Sequence, residues 1–285
     1  MKKYTLTLLL TAAPLFAGTP APVAPAPQYN SEQGWILGLE AMALRPYQSN
    51  GAYDNNSYDF AGRGTLGYQF ADGLFIKGEY FGFGSDISST NTLTSTSLEQ
   101  LDGRMSVSYI DLLVGQNFKP TETLKLSPYV GLRWGTFNEG HSDITTYSRS
   151  SNFAPGTQIN GDSLNFSGLG LVVGIDATRA LGNSFSLYGT AKESVTFGTA
   201  DTSSVSAFYP LGSTTASSYS NPSSSTDRVL FVSEFGLGVQ YDYCFSNVAA
   251  NIRLGVEGQW WAGASNWNSE NAGLAGFVLG ANFRF

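Results

Sequence analysis

Residues 249–261 read AANIRLGVEGQWW, and this stretch decides the fold. The even positions Ala250, Ile252, Leu254, Val256, Gly258 and Trp260 are apolar or small. The odd positions carry Asn251, Arg253, Glu257 and Gln259. Such alternation makes a strand with one apolar and one polar face. The pattern returns in residues 229–243, where Phe231, Phe235, Leu237, Val239 and Tyr241 oppose Glu234, Gln240 and Asp242. It closes the chain with Ala275, Phe277, Leu279, Ala281, Phe283 and Phe285 on one side. Ten segments of this kind stand near 34–45, 59–70, 74–84, 104–118, 124–137, 164–178, 184–198, 228–242, 248–261 and 272–285. Most run 11–15 residues. Soluble strands average about 5–6 residues, whereas a tilted membrane strand needs about 9–11. Two segments break phase: the apolar face switches near Tyr109, and Phe81 and Phe83 fall out of step with Leu74 and Ile76. A β-bulge would account for either, as would segment ends placed out of register.

The connections alternate in length. Short ones lie near 71–73, 119–123, 179–183 and 243–247; long ones lie near 46–58, 85–103, 138–163, 199–227 and 262–271. Short periplasmic turns and long outer loops are the asymmetry of outer-membrane barrels. The expected fold is therefore all-β: a closed antiparallel transmembrane barrel over 34–285, of about ten strands, with eight to twelve compatible with the pattern. Lipid offers no partner to a bare strand edge, so the sheet must close.

Composition agrees. Charged residues are 13% of the 285 and aromatics 14%, with 33 glycines. The net charge of −7 and the lack of Lys/Arg clusters argue against nucleic-acid binding. Cys244 is the only cysteine, which excludes intramolecular disulfides and multi-cysteine zinc sites. Lys2 and Lys3 precede an apolar run at 4–16 and then Ala17–Gly18. That order predicts a cleaved signal peptide at 1–17, hence export to a Gram-negative-type envelope. A Pro/Ala-rich periplasmic spacer follows at 18–33. The last strand, ending on Phe285, is expected to present the chain to the outer-membrane assembly machinery.

Aromatics on the expected lipid face include Trp35, Tyr68, Phe70, Tyr241, Phe283 and Phe285 at the periplasmic end, joined by Phe118, Phe185 and Tyr243. Trp134 and Trp260 lie toward the other rim. Rings favour membrane–water interfaces, where a flat apolar body meets wet headgroups. The polar face carries Glu40, Arg63, Lys77, Glu79, Asp111, Lys125, Arg133, Glu234, Arg253 and Glu257, with Asp176, Lys192 and Arg284. In a barrel these side chains point inward, either as a charged pore lining or as a salt-bridged plug. Inward glycines would leave room for water or ease sheet curvature.

Against these strands, GWILGLEAMALRP (34–46), SPYVGLRWG (127–135) and FSGLGLVVGIDATRALGNSFSLYGTAKESVTFG (166–198) resemble the Legionella-type major outer-membrane protein family. The terminal AGFVLGANFRF (275–285) fits as well, although most outer-membrane barrels share that ending. The resemblance implies a porin-like barrel in outer-membrane lipid, with no catalytic residues and no cofactor. The expected function is passive diffusion of ions or small hydrophilic solutes. The alternative is a structural or adhesive barrel with a plugged lumen and surface-exposed interaction loops. Ten strands sit nearer the filled eight-stranded barrels than the open porins of about 16–18 strands. An enzyme is not expected: His141, the only histidine, falls in a long connection. The carboxylate pairs Glu40 with Glu79 and Glu234 with Glu257 read as salt-bridging groups rather than acid–base pairs. YDNNSYD (53–59) lacks the glycine and bidentate Glu of a calcium loop.

Overall fold

The computed structural model describes residues 33–48, 57–94, 97–147, 155–245, 248–264 and 271–285. The expected signal peptide, nearly all of the spacer and residues 53–56 lie outside them. The strands are β1 (Gly34–Gln48), β2 (Asp59–Gln69), β3 (Leu74–Thr94), β4 (Ser97–Gln116), β5 (Leu124–Tyr147) and β6 (Gly156–Gly182), then β7 (Phe185–Pro210), the three-residue β8 (Ser218–Ser220), β9 (Ser223–Phe245), β10 (Val248–Ala262) and β11 (Ala272–Arg284). Each long strand pairs antiparallel with its sequence neighbours, and β1 pairs with β11. Ten strands thus form a closed up-and-down barrel. β8 stays outside the ring's order and pairs only with the end of β7.

Why these segments form strands follows from their two surfaces. On β6 the outward Leu169, Leu171, Val173 and Ile175 are 39% to 65% exposed, while the alternate Val172 is 2% exposed. Neighbouring strands present Ile110, Leu112, Leu132, Leu237, Leu254 and Leu279 outward in the same way. A continuous apolar exterior of this extent is untenable in water and is satisfied by lipid. From Leu169 to Ala177, strand rise and tilt give a belt of roughly 20 Å along the membrane normal. From Ser167 to Ser163 the outward residues of β6 are Ser, Asn and Ser, so its outer end stands clear of lipid.

Three expected loops are therefore strands. Much of 85–103, 138–163 and 199–227 belongs to extensions of β3 to β7 and β9, and β6 reaches 27 residues. His141 accordingly sits within β5, opposite Gly103 and Asp162. With water on both faces these extensions need no apolar alternation. Their ladders and cross-strand hydroxyl pairs hold them, including Ser163–Ser203 and Thr202–Ser224, each 2.8 Å apart. Of the two explanations for the phase breaks near Tyr109 and Phe81, a bulge does not apply. The β3–β4 register runs unbroken from Leu74 to Thr92. Phe81, Phe83 and Tyr109 keep step and point into the lumen.

At the opposite end the turns are tight. Asn183 and Ser184 both have positive φ, 52° and 67°, the backbone of the two-residue hairpin that suits strand twist. The first and last strands join there through Trp35 N–H to the Phe285 carbonyl (2.7 Å) and Phe285 N–H to the Trp35 carbonyl (3.2 Å). Higher along this seam a Cβ on inward-facing Gly276 would run into the Ala43 carbonyl. Curvature, rather than space for water, is what that glycine provides. Gly276→Val should abolish the SDS-resistant, heat-modifiable form on refolding. Gly64→Val, at an outward position with open space around it, should retain that form.

Candidate functional site

The lumen has three levels, set by how far along each strand a residue sits. At mid-height the inward positions carry charge. Arg63 of β2 is the hub: Nη1 lies 2.8 Å from Glu40 and 2.8 Å from Glu257, and Nη2 lies 2.6 Å from Glu257. Its Nε is 3.5 Å from Glu79, and Nη2 is 3.5 Å from Glu234. Arg133 of β5 donates from Nε and Nη2 to the two oxygens of Asp111, each at 2.7 Å. Nη2 is also 2.7 Å from Glu234. Lys192 of β7 pairs with Glu79 and reaches Asp111 at 3.2 Å. The Tyr109 hydroxyl donates to Glu234 at 2.6 Å.

Nearly all of these groups are removed from solvent; Asp111 and Arg133 are 0% exposed. Buried charge is tolerable only when paired and hydrogen-bonded. Acids Glu40, Glu79, Asp111, Glu234 and Glu257 here interleave with cations Arg63, Arg133, Lys192 and Arg253, the last held to Glu40 at 3.2 Å. The strands place them by period two alone: Glu234 and Glu257 lie on β9 and β10, Glu40 and Arg63 directly opposite each other on β1 and β2.

Outward of this layer the inward positions become apolar. Leu44, Phe81, Met105, Phe137, Leu230 and Trp261 are each at most 2% exposed. Tyr109 joins the two layers. Its ring stacks on Phe81 with centroids 5.0 Å apart, and the Arg133 guanidinium carbon lies 3.7 Å from the centroid of the same ring. Trp261 continues the ring stack toward Phe137 at 6.0 Å and donates from Nε1 to Gln259, which in turn donates to Glu257. Together the ionic layer and the apolar layer form a septum across the barrel.

On the turn side of the septum the lumen opens into a vestibule of about 1470 Å³. Lys77 and Asp176 pair on its wall at 3.2 Å, with Thr190 donating to Asp176 at 2.9 Å. Lys77 lies over the Tyr129 ring at 4.7 Å, and Arg253 over the Tyr188 ring at 5.2 Å. Lys125 and Arg284 line the same chamber.

Of the charged residues expected to face the lumen, Glu40, Arg63, Glu79, Asp111, Arg133, Glu234 and Glu257 meet in the ionic layer. Arg253 joins it at the edge, whereas Lys77 and Lys125 stand apart in the vestibule. The carboxylate pairs Glu40/Glu79 and Glu234/Glu257 each converge on Arg63. Tyr109 and the apolar layer escaped the sequence reading; the phase breaks at Phe81, Phe83 and Tyr109 were their signal. The aromatics stand outside the barrel wall. Trp35, Phe70, Tyr241, Phe285, Trp134 and Trp260 are 39% to 54% exposed, and Tyr68 and Phe283 are half-buried. Trp35, Tyr68 and Phe70 pack edge to face in a row near the turn end, at 5.3 and 5.1 Å.

Arg63→Ala would strand Glu257 without a cation in the septum and leave Glu40 with Arg253 alone, and removal of one partner from a buried network costs about 3–5 kcal/mol. Its denaturation midpoint should fall by far more than that of Lys125→Ala, whose side chain lies in the water-filled vestibule; urea unfolding from lipid vesicles measures both.

Several known proteins share features with this barrel. Among solved structures it is similar to a major outer membrane protein from Thermus thermophilus, at 15% identity and TM-score 0.38, over 89% of this chain and 99% of that one. It is also similar to the outer membrane protease OmpT from Escherichia coli, at 12% identity and TM-score 0.47, over 89% and 94% of the two chains. Ail, the attachment invasion locus protein of Yersinia pestis, gives 12% identity and TM-score 0.34, over 89% and 99%. Likenesses this distant say nothing about function. No curated protein matches the chain. The family described as Legionella pneumophila major outer membrane protein precursor matches residues 26–285. The chain therefore belongs to the Legionella pneumophila major outer membrane protein family, and its place is the outer membrane.

Proposed function

We propose that this protein is a non-catalytic outer-membrane barrel whose lumen is closed at rest, and whose strand extensions and loops form its working surface outside the cell. The observation that carries this reading is the septum. Among the described residues, Arg133, Asp111, Phe81 and Phe137 are all 0% exposed at the centre of the barrel, which supports a lumen filled at that level. A non-catalytic role is supported by the same layer: each of its carboxylates is held by at least one cation, so none is poised as an acid or base. Short turns face the periplasm in outer-membrane barrels, which puts the vestibule on the periplasmic side. The exposed rings of Trp35, Phe70, Tyr241 and Phe285 suit the inner interface, and Phe285 ends the chain at the strand that would meet the assembly machinery.

Porin-like diffusion is the second reading, favoured by the vestibule, which brings solvent about halfway through the wall. It requires the septum to rearrange. The two readings separate in liposomes. Vesicles holding the refolded protein should not swell in iso-osmotic arabinose, whereas Tyr109→Ala, which removes the ring between the two layers, should make them swell. Wild-type swelling at porin-like rates would reject the closed lumen in favour of diffusion.

A further inference from the structure

The outside wall of the barrel changes chemistry row by row across β2 to β6, and the strand register fixes the order. One row of outward residues, Gly64, Tyr80, Ile110 and Trp134, belongs to the lipid belt. The row above it, toward the crown of extended strands, reads Gly62, Gly82, Ser108 and Thr136. Then come Gly84, Ser106 and Asn138, followed by Asp86, Arg104, Gly140 and Ser163. Asp102, Ser142 and Gly161 form the next row. Rising from the lipid, the wall thus passes from apolar to hydroxyl-bearing to charged.

This stretch of wall is also concave. A recess of about 630 Å³ lies among the exposed Leu39, Phe60 and Tyr80, with Gly62, Gly64 and Gly82 as its floor. Ser106, Ser108, Thr136 and Asn138 line its upper side. A second recess of about 560 Å³ continues upward over Gly140 and Gly161, beside Asp86, Asp102 and Arg104. Packing does not demand this floor: a Cβ on Gly64 or Gly140 would meet nothing within 4 Å, unlike one on Gly276. The outward positions of β9 to β11 carry Phe235, Leu237, Val256, Trp260 and Phe277 instead.

Three features identify an occupant. The lower recess opens into lipid, so whatever covers Leu39, Phe60 and Tyr80 comes from within the membrane. Its upper side presents uncharged hydroxyl and amide groups. Ser108 and Thr136 pair at 2.8 Å, and Asn138 donates to Ser106 at 3.3 Å. A hydroxyl carries one donor and two acceptor sites, so these pairs keep capacity for the hydroxyls of a sugar. Reach decides the rest. From Ser108 to Asp102, strand rise and tilt give roughly 15 Å along the membrane normal. The headgroup zone of one leaflet is only about 5–7 Å thick. A phospholipid headgroup ends within the first recess, whereas an oligosaccharide continues into the second.

We propose that this groove holds one glycolipid of the outer leaflet, its acyl chain against Leu39, Phe60 and Tyr80 and its oligosaccharide over Ser106, Asn138 and the glycine floor of the upper recess. The site goes beyond the closed-lumen reading and does not depend on it, because it lies on the outside of the wall.

Native mass spectrometry of the refolded protein in mild detergent tests the assignment. The probes, added separately, are lipopolysaccharide bearing only its core oligosaccharide, the lipid A portion alone, and phosphatidylethanolamine. The wild type should keep one lipopolysaccharide through detergent exchange that strips phosphatidylethanolamine, and should hold lipid A more weakly than lipopolysaccharide. Gly64→Val fills the lower recess and should lose the adduct. Gly140→Trp fills the upper one and should reduce lipopolysaccharide retention to that of lipid A. Leu254→Trp, on the lipid-facing side of β10, should keep the adduct. Each variant is read only in its SDS-resistant form. Asn138→Ala, which adds no bulk, should also weaken lipopolysaccharide and keeps the test independent of how the glycine variants fold. Equal retention of the three probes, retention unchanged in Gly64→Val, Gly140→Trp and Asn138→Ala, or a protein dimer in place of the adduct would overturn the proposal.

Discussion

Arg63 sits where carboxylates from β1, β3, β9 and β10 converge, and the rest of the structure depends on that convergence. A closed barrel in lipid must satisfy two surfaces with one set of strands. The outer surface is simple, since any apolar residue at alternate positions will do. The inner surface of a ten-stranded ring is too narrow to be a wide channel and too long to be filled by one residue type. Here the problem is solved in layers. Charges fill the middle because each finds an opposite charge across a few ångströms, and apolar side chains fill the level outside it. An isolated ion at the position of Asp111 or Arg133 would be prohibitive. A network of interleaved acids and bases is tolerable, although well-packed apolar groups could serve stability as well. What the ionic layer adds is a fixed arrangement, since its central groups are each oriented by two or more partners.

Tyr109 shows how the two layers become one septum. Its hydroxyl belongs to the ionic layer and its ring to the apolar one. Arg63 ties the layers in the same way, lying over the Phe81 ring at 5.4 Å while Nη2 reaches Glu234 at 3.5 Å. The vestibule then follows from the septum's position. Because the filling lies at mid-height and above, the turn-side half of the lumen remains open, and its aromatic faces are overlaid by Lys77 and Arg253. The barrel is thus divided along its axis into a solvated chamber, an ionic layer, an apolar layer and outer extensions beyond lipid.

How much of this was legible in the sequence depended on where lipid imposes its pattern. Within the belt, alternation such as Ile252, Leu254, Val256 against Arg253 and Glu257 is forced by the solvent on each side, so the ten strands and their inward charges could be read directly. Outside the belt the constraint vanishes. The hydroxyl-rich stretches of β5 to β7 carry water on both faces, show no apolar period and look like loops, although their backbones pair without interruption. The apolar layer was hidden for the opposite reason. A reading that equates lumen with polar takes Phe81, Phe83 and Tyr109 for errors of phase, when their parity was correct all along. The ion pairs themselves were out of reach: Lys192 and Glu79 are 113 residues apart in sequence, and only ring closure brings them together.

The central claim is that this family member rests with its lumen closed, and single-channel recording addresses it most directly. The refolded protein in a planar bilayer should give a quiet baseline at moderate voltage, with folding verified by circular dichroism and by heat-modifiable mobility. Discrete, reproducible and long-lived steps from the wild-type protein under those conditions would contradict the account and show that the septum around Arg63 and Tyr109 stands open in the membrane.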